Sequence, residues 1–168
     1  MKDCVLTVAE NKPLTRDAYR MILRGDVGAF TAPGQFMNLR LAGQFLRRPI
    51  SLCDLGEDSA TIIYKVVGQG TARMAAMVPG EKLDVLMGLG NGYDLADAGE
   101  KPLLIGGGVG VPPMYLLAKR LREMGKPVRA VLGFNMASEV FYEEEFRALG
   151  RSSSNSCMFP AGRRSRSP

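Results

Sequence analysis

Histidine is absent from this 168-residue sequence, and its absence excludes several chemistries at once. There is no Ser-His-Asp or Cys-His nucleophilic centre, no histidine-ligated metal, and none of the side chains that ordinarily titrate near neutrality. Cysteine is scarce: Cys4, Cys53 and Cys157 are scattered, odd in number and without metal-ligand spacing, which reads as free thiols in a reducing compartment. No apolar run approaches the roughly 20 residues that span a bilayer, and Met1-Lys2-Asp3-Cys4 has no apolar signal core. The expectation is a protein of the cytoplasm with no membrane span and no metal ligands. An enzyme of this composition has to borrow a cofactor for its reactive chemistry.

The net charge of +5 is unevenly placed. Arg151, Arg163, Arg164 and Arg166, with no acidic residue among 151–168, carry four of those charges, so the rest of the chain is nearly neutral. The 151–168 segment is rich in Ser and Arg and has no recurring apolar pattern, so it is expected to be a disordered tail. Four positive charges without interleaved aromatics make a poor nucleic-acid site, and no nucleic-acid partner is expected.

Apolar residues make up 46% of the chain, enough for a core in one domain or one and a half. Short apolar segments at 5–8, 18–23, 36–41, 50–52, 62–67 and 83–87 are separated by Gly, Pro and Asn/Asp signals. That is the pattern of an antiparallel β-barrel. Met37, Leu39 and Leu41 alternate with Asn38 and Arg40, and Leu83, Val85 and Met87 alternate with Lys82 and Asp84, as half-buried strands do.

Just after the 36–41 segment stands Arg47-Arg48-Pro49-Ile50-Ser51, read as a loop at the rim of the sheet. Arg48 offers a planar fork of donors suited to phosphate oxygens, Pro49 stiffens the backbone, and Ser51 adds a hydroxyl. A solvated turn is the competing explanation. The strand at 60–67 runs into Gly68-Gln69-Gly70-Thr71, a corner where backbone can pass close to a ligand or simply turn into a helix. Thr71 is expected to cap a short helix over 72–77, ended by Pro79-Gly80.

A second unit begins near Lys101. Leu103-Leu104-Ile105 reads as a strand, 106–110 as a glycine-rich turn, and Pro112-Pro113 as the start of a helix with Met114, Leu117, Ala118 and Leu121 on one face. Another strand follows over 127–134, completing a β-α-β unit of the Rossmann kind. The glycines either face a dinucleotide or merely allow tight strand-to-helix packing. The G-x-G-x-x-G fingerprint is incomplete, because Val111 occupies the third glycine's place and Asn135, not an acid, follows the second strand. A helix over 138–149 is expected, with Ser138 as N-cap and Gly150 as its stop.

Pro33-Gly34-Gln35-Phe36, Arg47 to Ser51, Tyr64-Lys65-Val66-Val67-Gly68-Gln69-Gly70-Thr71, Gly90-Asn91-Gly92 and Gly106-Gly107-Gly108-Val109-Gly110-Val111-Pro112-Pro113 occur in this order. Together they resemble the electron transfer subunits of bacterial dihydroorotate dehydrogenases, which are ferredoxin reductase-like flavoproteins. The resemblance implies an FAD-binding β-barrel over 1–97 and a partial NAD-binding Rossmann-like domain over 98–150. It implies FAD contacts at Arg48, Pro49, Ile50, Ser51, Tyr64, Lys65, Val66, Gly70 and Thr71, and NAD contacts at Gly106, Gly107, Gly108, Val109 and Gly110. No residue is assigned a catalytic role. Cys53 either neighbours the flavin or is buried as a small apolar residue. Where the family commonly has a proline before Leu89, this sequence has Gly88, which is expected to loosen the turn at 88–92.

The resemblance ends near Gly150. Family members continue, completing the nucleotide domain and supplying four cysteines for a [2Fe-2S] cluster; the cysteines of that cluster are absent from this sequence, which suggests a truncated or frameshifted product with an uncovered sheet edge and helix face. The implied activity is electron passage from NADH through FAD and the cluster to a catalytic dihydroorotate dehydrogenase subunit carrying FMN, in a hetero-oligomer serving pyrimidine biosynthesis. Two alternatives stay open: a sister reductase of the ferredoxin-NADP or sulfide dehydrogenase type, and a non-enzymatic interaction module using the Arg/Ser tail.

Overall fold

The computed structural model describes residues 2–149. Six strands close into an antiparallel barrel: β1 (Lys2–Pro13), β2 (Ala18–Arg24), β3 (Phe36–Arg40), β4 (Arg48–Leu55), β5 (Ser59–Lys65) and β6 (Lys82–Leu89), in the spatial order β1-β2-β5-β4-β3-β6. Each of the six apolar segments of this region of the sequence lies within or overlaps one of these strands. Closure leaves no free edge in this sheet. The inward-facing set is Leu6, Val8, Met21, Leu23, Met37, Leu39, Leu52, Ile62, Val85 and Met87, all buried together. Met37 and Leu39 on β3 and Leu83, Val85 and Met87 on β6 lie on the buried side, as their alternation requires.

Register shifts between Val8 and Glu10, between Phe36 and Asn38, and between Leu52 and Asp54 bend the strands around the closed barrel. A short helix α1 (Gln69–Ala75) crosses one end of the barrel. Asn11 fixes it there, donating from Nδ2 to the carbonyls of Met74 and Met77 at 2.9 Å each.

The second unit holds β7 (Leu103–Gly107), a single 3-10 turn at Gly108–Gly110, α2 (Val111–Glu123) and β8 (Arg129–Gly133), with β7 and β8 parallel. Helix α2 buries Val111, Met114, Leu117, Ala118 and Leu121. This apolar face packs on the outside of β4 as well as on β7. Cys53, Ile63 and Ala18 leave the barrel on that side and join a second core with Leu104, Leu132, Phe134 and Phe146. Strands β4 and β5 are therefore buried on both faces, which explains the unbroken apolar pairs Leu52-Cys53 and Ile62-Ile63. An ion pair between Lys119 and Asp54 at 2.9 Å crosses the same seam.

Two expectations need correction. Arg48 to Ser51 form the start of β4, paired with β3 through Leu39↔Arg48 and Asn38↔Pro49, and are not a loop. Pro49 is tolerated there because β4 is registered with β5 only from Leu52 onward, which leaves its first residues with β3 as their one registered neighbour. The helix expected over 138–149 is broken into a 3-10 turn at Ala137–Glu139 and α3 (Glu143–Ala148). Between them Tyr142 takes a left-handed conformation, φ 64°, so that Phe141 and Tyr142 are both buried. The Tyr142 ring meets Tyr115 edge-on at 5.1 Å; tertiary packing overrides the local helical preference here.

The turn at 88–92 is held by contacts from two sides. Gly88 has φ +68°, and a Cβ there would lie 2.5 Å from the Ala29 carbonyl oxygen. Proline, locked near φ −65°, cannot take that conformation. The buried Gln35 clamps the turn: its Oε1 accepts from the amides of Thr31 and Ala32 at 2.8 and 3.2 Å, and its Nε2 donates to the Gly90 carbonyl at 3.1 Å. The 151–168 tail and the Gly150 stop signal lie outside the described residues.

Candidate cofactor site

Of the two adjacent arginines the sequence points to Arg48 as the phosphate fork, and the structure gives the two different partners. Arg47 is tied to the barrel, with Nη1 2.9 Å from Asp84 and a second carboxylate, Asp3, at 3.6 Å. Arg48 turns the other way. Its Nη1 donates to the Leu46 carbonyl at 2.6 Å and its Nη2 to Gln44 Oε1 at 2.8 Å. The guanidinium occupies the space a side chain would need at Gly70, where a Cβ would meet Arg48 Nε at 2.1 Å. A larger residue at position 70 would have to displace the arginine, although the backbone there is not in the left-handed region.

Arg48, Pro49, Ile50, Ser51, Ile63, Tyr64, Lys65, Val67, Thr71 and Val109 line a cavity of about 330 Å³, a size typical of ligand sites. Two cations and no carboxylate face it. Tyr64 contributes its ring: the hydroxyl is committed, donating to Asn11 Oδ1 at 2.9 Å, and burial pushes its pKa up to about 12. Tyr19 stacks on the same ring at 6.0 Å. Tyr64 is a wall here, not an acid.

Thr71 differs from the expected helix cap. Gly68 is the N-cap, and the Thr71 hydroxyl accepts from the amides of Val67 and Gly68 at 2.9 and 3.2 Å while donating to the Gly68 carbonyl. The hydroxyl is spent on holding the corner closed. Val66 and Gly70, also expected at the site, do not line the cavity: the Val66 amide donates to the Asp17 carbonyl, and Gly70 acts by making room for Arg48.

A second cavity of about 470 Å³ is lined by Lys65, Gly107, Gly108, Val109, Gly133, Phe134, Asn135 and Glu139. Of the five nucleotide residues expected, Gly107, Gly108 and Val109 face it. Gly106 and Gly110 do not. A Cβ on Gly106 would lie 2.9 Å from the Gly110 carbonyl oxygen and 3.0 Å from Val111 Cα, so Gly106 serves close strand-to-helix packing, and Gly110 is the N-cap of α2. Phe134 and Glu139 were not expected at the site because nothing local marks them, whereas Asn135 stands where the dinucleotide fingerprint has an acid after its second strand; Phe134 and Asn135 reach the cavity because β8 lies beside β7.

Lys65 and Val109 belong to both cavities. The Lys65 ammonium lies 3.0 Å from Asp17 and 3.6 Å from Glu139, linking the barrel to the second unit. Its hydrogen bond with Asp17 raises the lysine pKa and holds the Asp17 carboxyl below the usual range. Cys53 lines neither cavity. It is fully buried beside Tyr142, and desolvation drives its thiol pKa upward, so it is packing and not a nucleophile. No helix of the described residues is long and apolar enough to cross a membrane.

No family model matches the sequence. The dihydroorotate dehydrogenase B (NAD(+)) electron transfer subunit of Bacillus pumilus (strain SAFR-032) is 45% identical over 158 residues, covering 89% of this chain and 61% of that protein. Among solved structures, the NADH-dependent reduced ferredoxin-NADP oxidoreductase, studied for flavin-based electron bifurcation, superposes with TM-score 0.77 at 27% identity over 87% of this chain and 54% of its own. A ferredoxin NADP+ reductase from Neisseria gonorrhoeae with bound FAD and NADP gives TM-score 0.75 at 16% identity, over 88% and 64% of the two chains. The barrel and β-α-β unit have the ferredoxin reductase-like fold, and the chain is a homologue of dihydroorotate dehydrogenase B electron transfer subunits, spanning about three fifths of the length of the curated relatives it matches.

Proposed function

We propose that this chain is the flavin- and nicotinamide-facing part of the electron transfer subunit of an NAD-dependent dihydroorotate dehydrogenase. In that role it passes electrons between NAD, FAD and an FMN-containing catalytic partner subunit in pyrimidine biosynthesis. The observation that carries the reading is the meeting, at Lys65 and Val109, of a cationic cavity and a glycine-lined cavity.

The residues fit FAD in kind. Arg48 presents a fork matched to a pyrophosphate, over a glycine whose missing Cβ makes the space. Pro49, Ile50, Ser51, Tyr64 and Lys65 supply the walls and a second cation. Gly107, Gly108 and Val109 would take the nicotinamide nucleotide on the other side of Lys65. When bound, FAD supplies the two-electron to one-electron chemistry that no side chain of this protein provides. The protein's part is to bind, orient and keep the two cavities contiguous. A [2Fe-2S] cluster does not fit the described residues: Cys4 lies on β1, Cys53 is buried, and no group of three or more metal-ligating side chains occurs among them.

The purified chain, reconstituted with FAD and desalted, is expected to retain flavin absorbance that NADH bleaches under anaerobic conditions. Colourless protein after reconstitution overturns the proposal. Flavin that is retained but not bleached by NADH leaves FAD binding standing and removes the nicotinamide half.

A further inference from the structure

Next to Arg48, through its hydrogen-bond partner Gln44, lies a cavity of about 400 Å³ lined by Arg40, Gln44, Phe45 and Arg47. Phe45 is 99% exposed at the tip of the 41–47 connection. An aromatic ring so placed gives up the stabilisation that its burial would supply.

The connection that carries it is well anchored. Leu41 is buried in the barrel core at one end, the Gln44 amide donates to the Leu41 carbonyl at 3.0 Å, and Arg47 is tied to Asp84 at the other end. Gln44 and Leu46, the residues on either side of Phe45, are the two that hold the Arg48 guanidinium. The ring is therefore coupled through its chain neighbours to the arginine that faces the first cavity. Arg40 and Arg47 line the same cavity but are paired with Asp84, so the cation beside the ring that can meet an anionic group is Arg48, held by Gln44 and Leu46.

A dinucleotide clamped at its pyrophosphate extends two ways from the clamp. With the flavin half among Pro49, Ile50, Ser51 and Tyr64, the other half passes Arg48 toward Phe45. The geometry points to Phe45 as a stacking platform for the adenine of FAD, and hence as the residue by which this chain distinguishes FAD from FMN. Base–aromatic stacking needs only a free ring face and is indifferent to hydrogen-bond pattern. This inference rests on the proposal that the Arg48 cavity holds a flavin.

The test compares the parent chain with Phe45→Ala and Phe45→Trp, titrating FAD and FMN by flavin fluorescence and using ADP as a competitor that carries only the adenosine-pyrophosphate half. Phe45→Ala is expected to weaken FAD and ADP about tenfold, the scale of one base–aromatic stack, with FMN unchanged. Phe45→Trp is expected to restore both. Unaltered FAD affinity in Phe45→Ala, or equal weakening of FAD and FMN, overturns the inference while leaving the flavin proposal intact. A Phe45→Ala chain that binds FAD like the parent but no longer joins a second protein subunit reassigns the ring to a protein interface, and also overturns it. A parent chain that binds neither flavin removes both.

Discussion

Gly70→Ala separates binding from stability. Position 70 lies within α1, is not among the positive-φ glycines, and can accept alanine as far as the backbone is concerned. In a helix, replacing glycine by alanine stabilises by roughly 0.5–1 kcal/mol. The new Cβ lands 2.1 Å from Arg48 Nε and 2.8 Å from Cζ, so the guanidinium swings away and its bonds to Gln44 and Leu46 break. Those bonds are partly or wholly exposed, and their loss costs on the order of 1 kcal/mol. The two terms nearly offset, so the melting temperature moves by no more than about 4 °C, the shift of 1 kcal/mol in a chain of this size. Displacing a charged fork from a phosphate removes about 1.5–3 kcal/mol of binding, which is about 10- to 150-fold in FAD affinity. Scanning calorimetry of the free protein and a flavin titration measure the two quantities. An unchanged FAD affinity at an unchanged melting temperature refutes the assignment of Arg48 as the phosphate fork.

Gly88→Ala places a Cβ 2.5 Å from the Ala29 carbonyl oxygen at φ +68° and is expected to destabilise by about 1–3 kcal/mol; a urea midpoint equal to the parent's contradicts the clamped turn. Glu10 is held below its ordinary value of 4.5 by hydrogen bonds from Lys12 and then Arg20. Its stabilisation is therefore complete above about pH 4.5 and lost as pH falls through the lower folded value. Glu10→Gln should flatten the acid limb of a urea-midpoint series between pH 7 and 3, and a parallel curve argues against the Glu10 contribution. Cys53, fully buried with its thiol pKa raised, should resist alkylation until global unfolding, as read by peptide mapping; labelling of the native protein would show that the seam between barrel and α2 opens.

Much of the barrel was legible in the sequence because alternation on β3 and β6 is a local consequence of strand geometry: side chains point to opposite faces, and only one face is wet. The same holds for α2, whose apolar spacing marks one helical face. Three of the five motifs, those at 47–51, 64–71 and 106–113, were visible for a related reason, since each is a contiguous run that contributes residues to a cavity wall.

What only tertiary structure decided were relations between segments. Arg47 and Arg48 are chemically identical, and nothing local says that one pairs with Asp84 on β6 while the other lies against Gly70. The roles of Gly70 and Gly106 depend on an arginine and a helix backbone brought up from elsewhere in the chain. The Thr71 hydroxyl closes its own corner instead of greeting a ligand, because Val67 and Gly68 present two amides to it. The break before α3 follows from burying Phe141 and Tyr142 together in the second core. Local pattern was enough for most strands, for α2 and for the runs with phosphate-compatible chemistry, because those depend on near neighbours; it was not enough at Arg48–Ser51 or at 138–149, where distant packing prevailed. Which side chains face the cavities, and that the cavities meet at Lys65 and Val109, depended on long-range packing that no local pattern records.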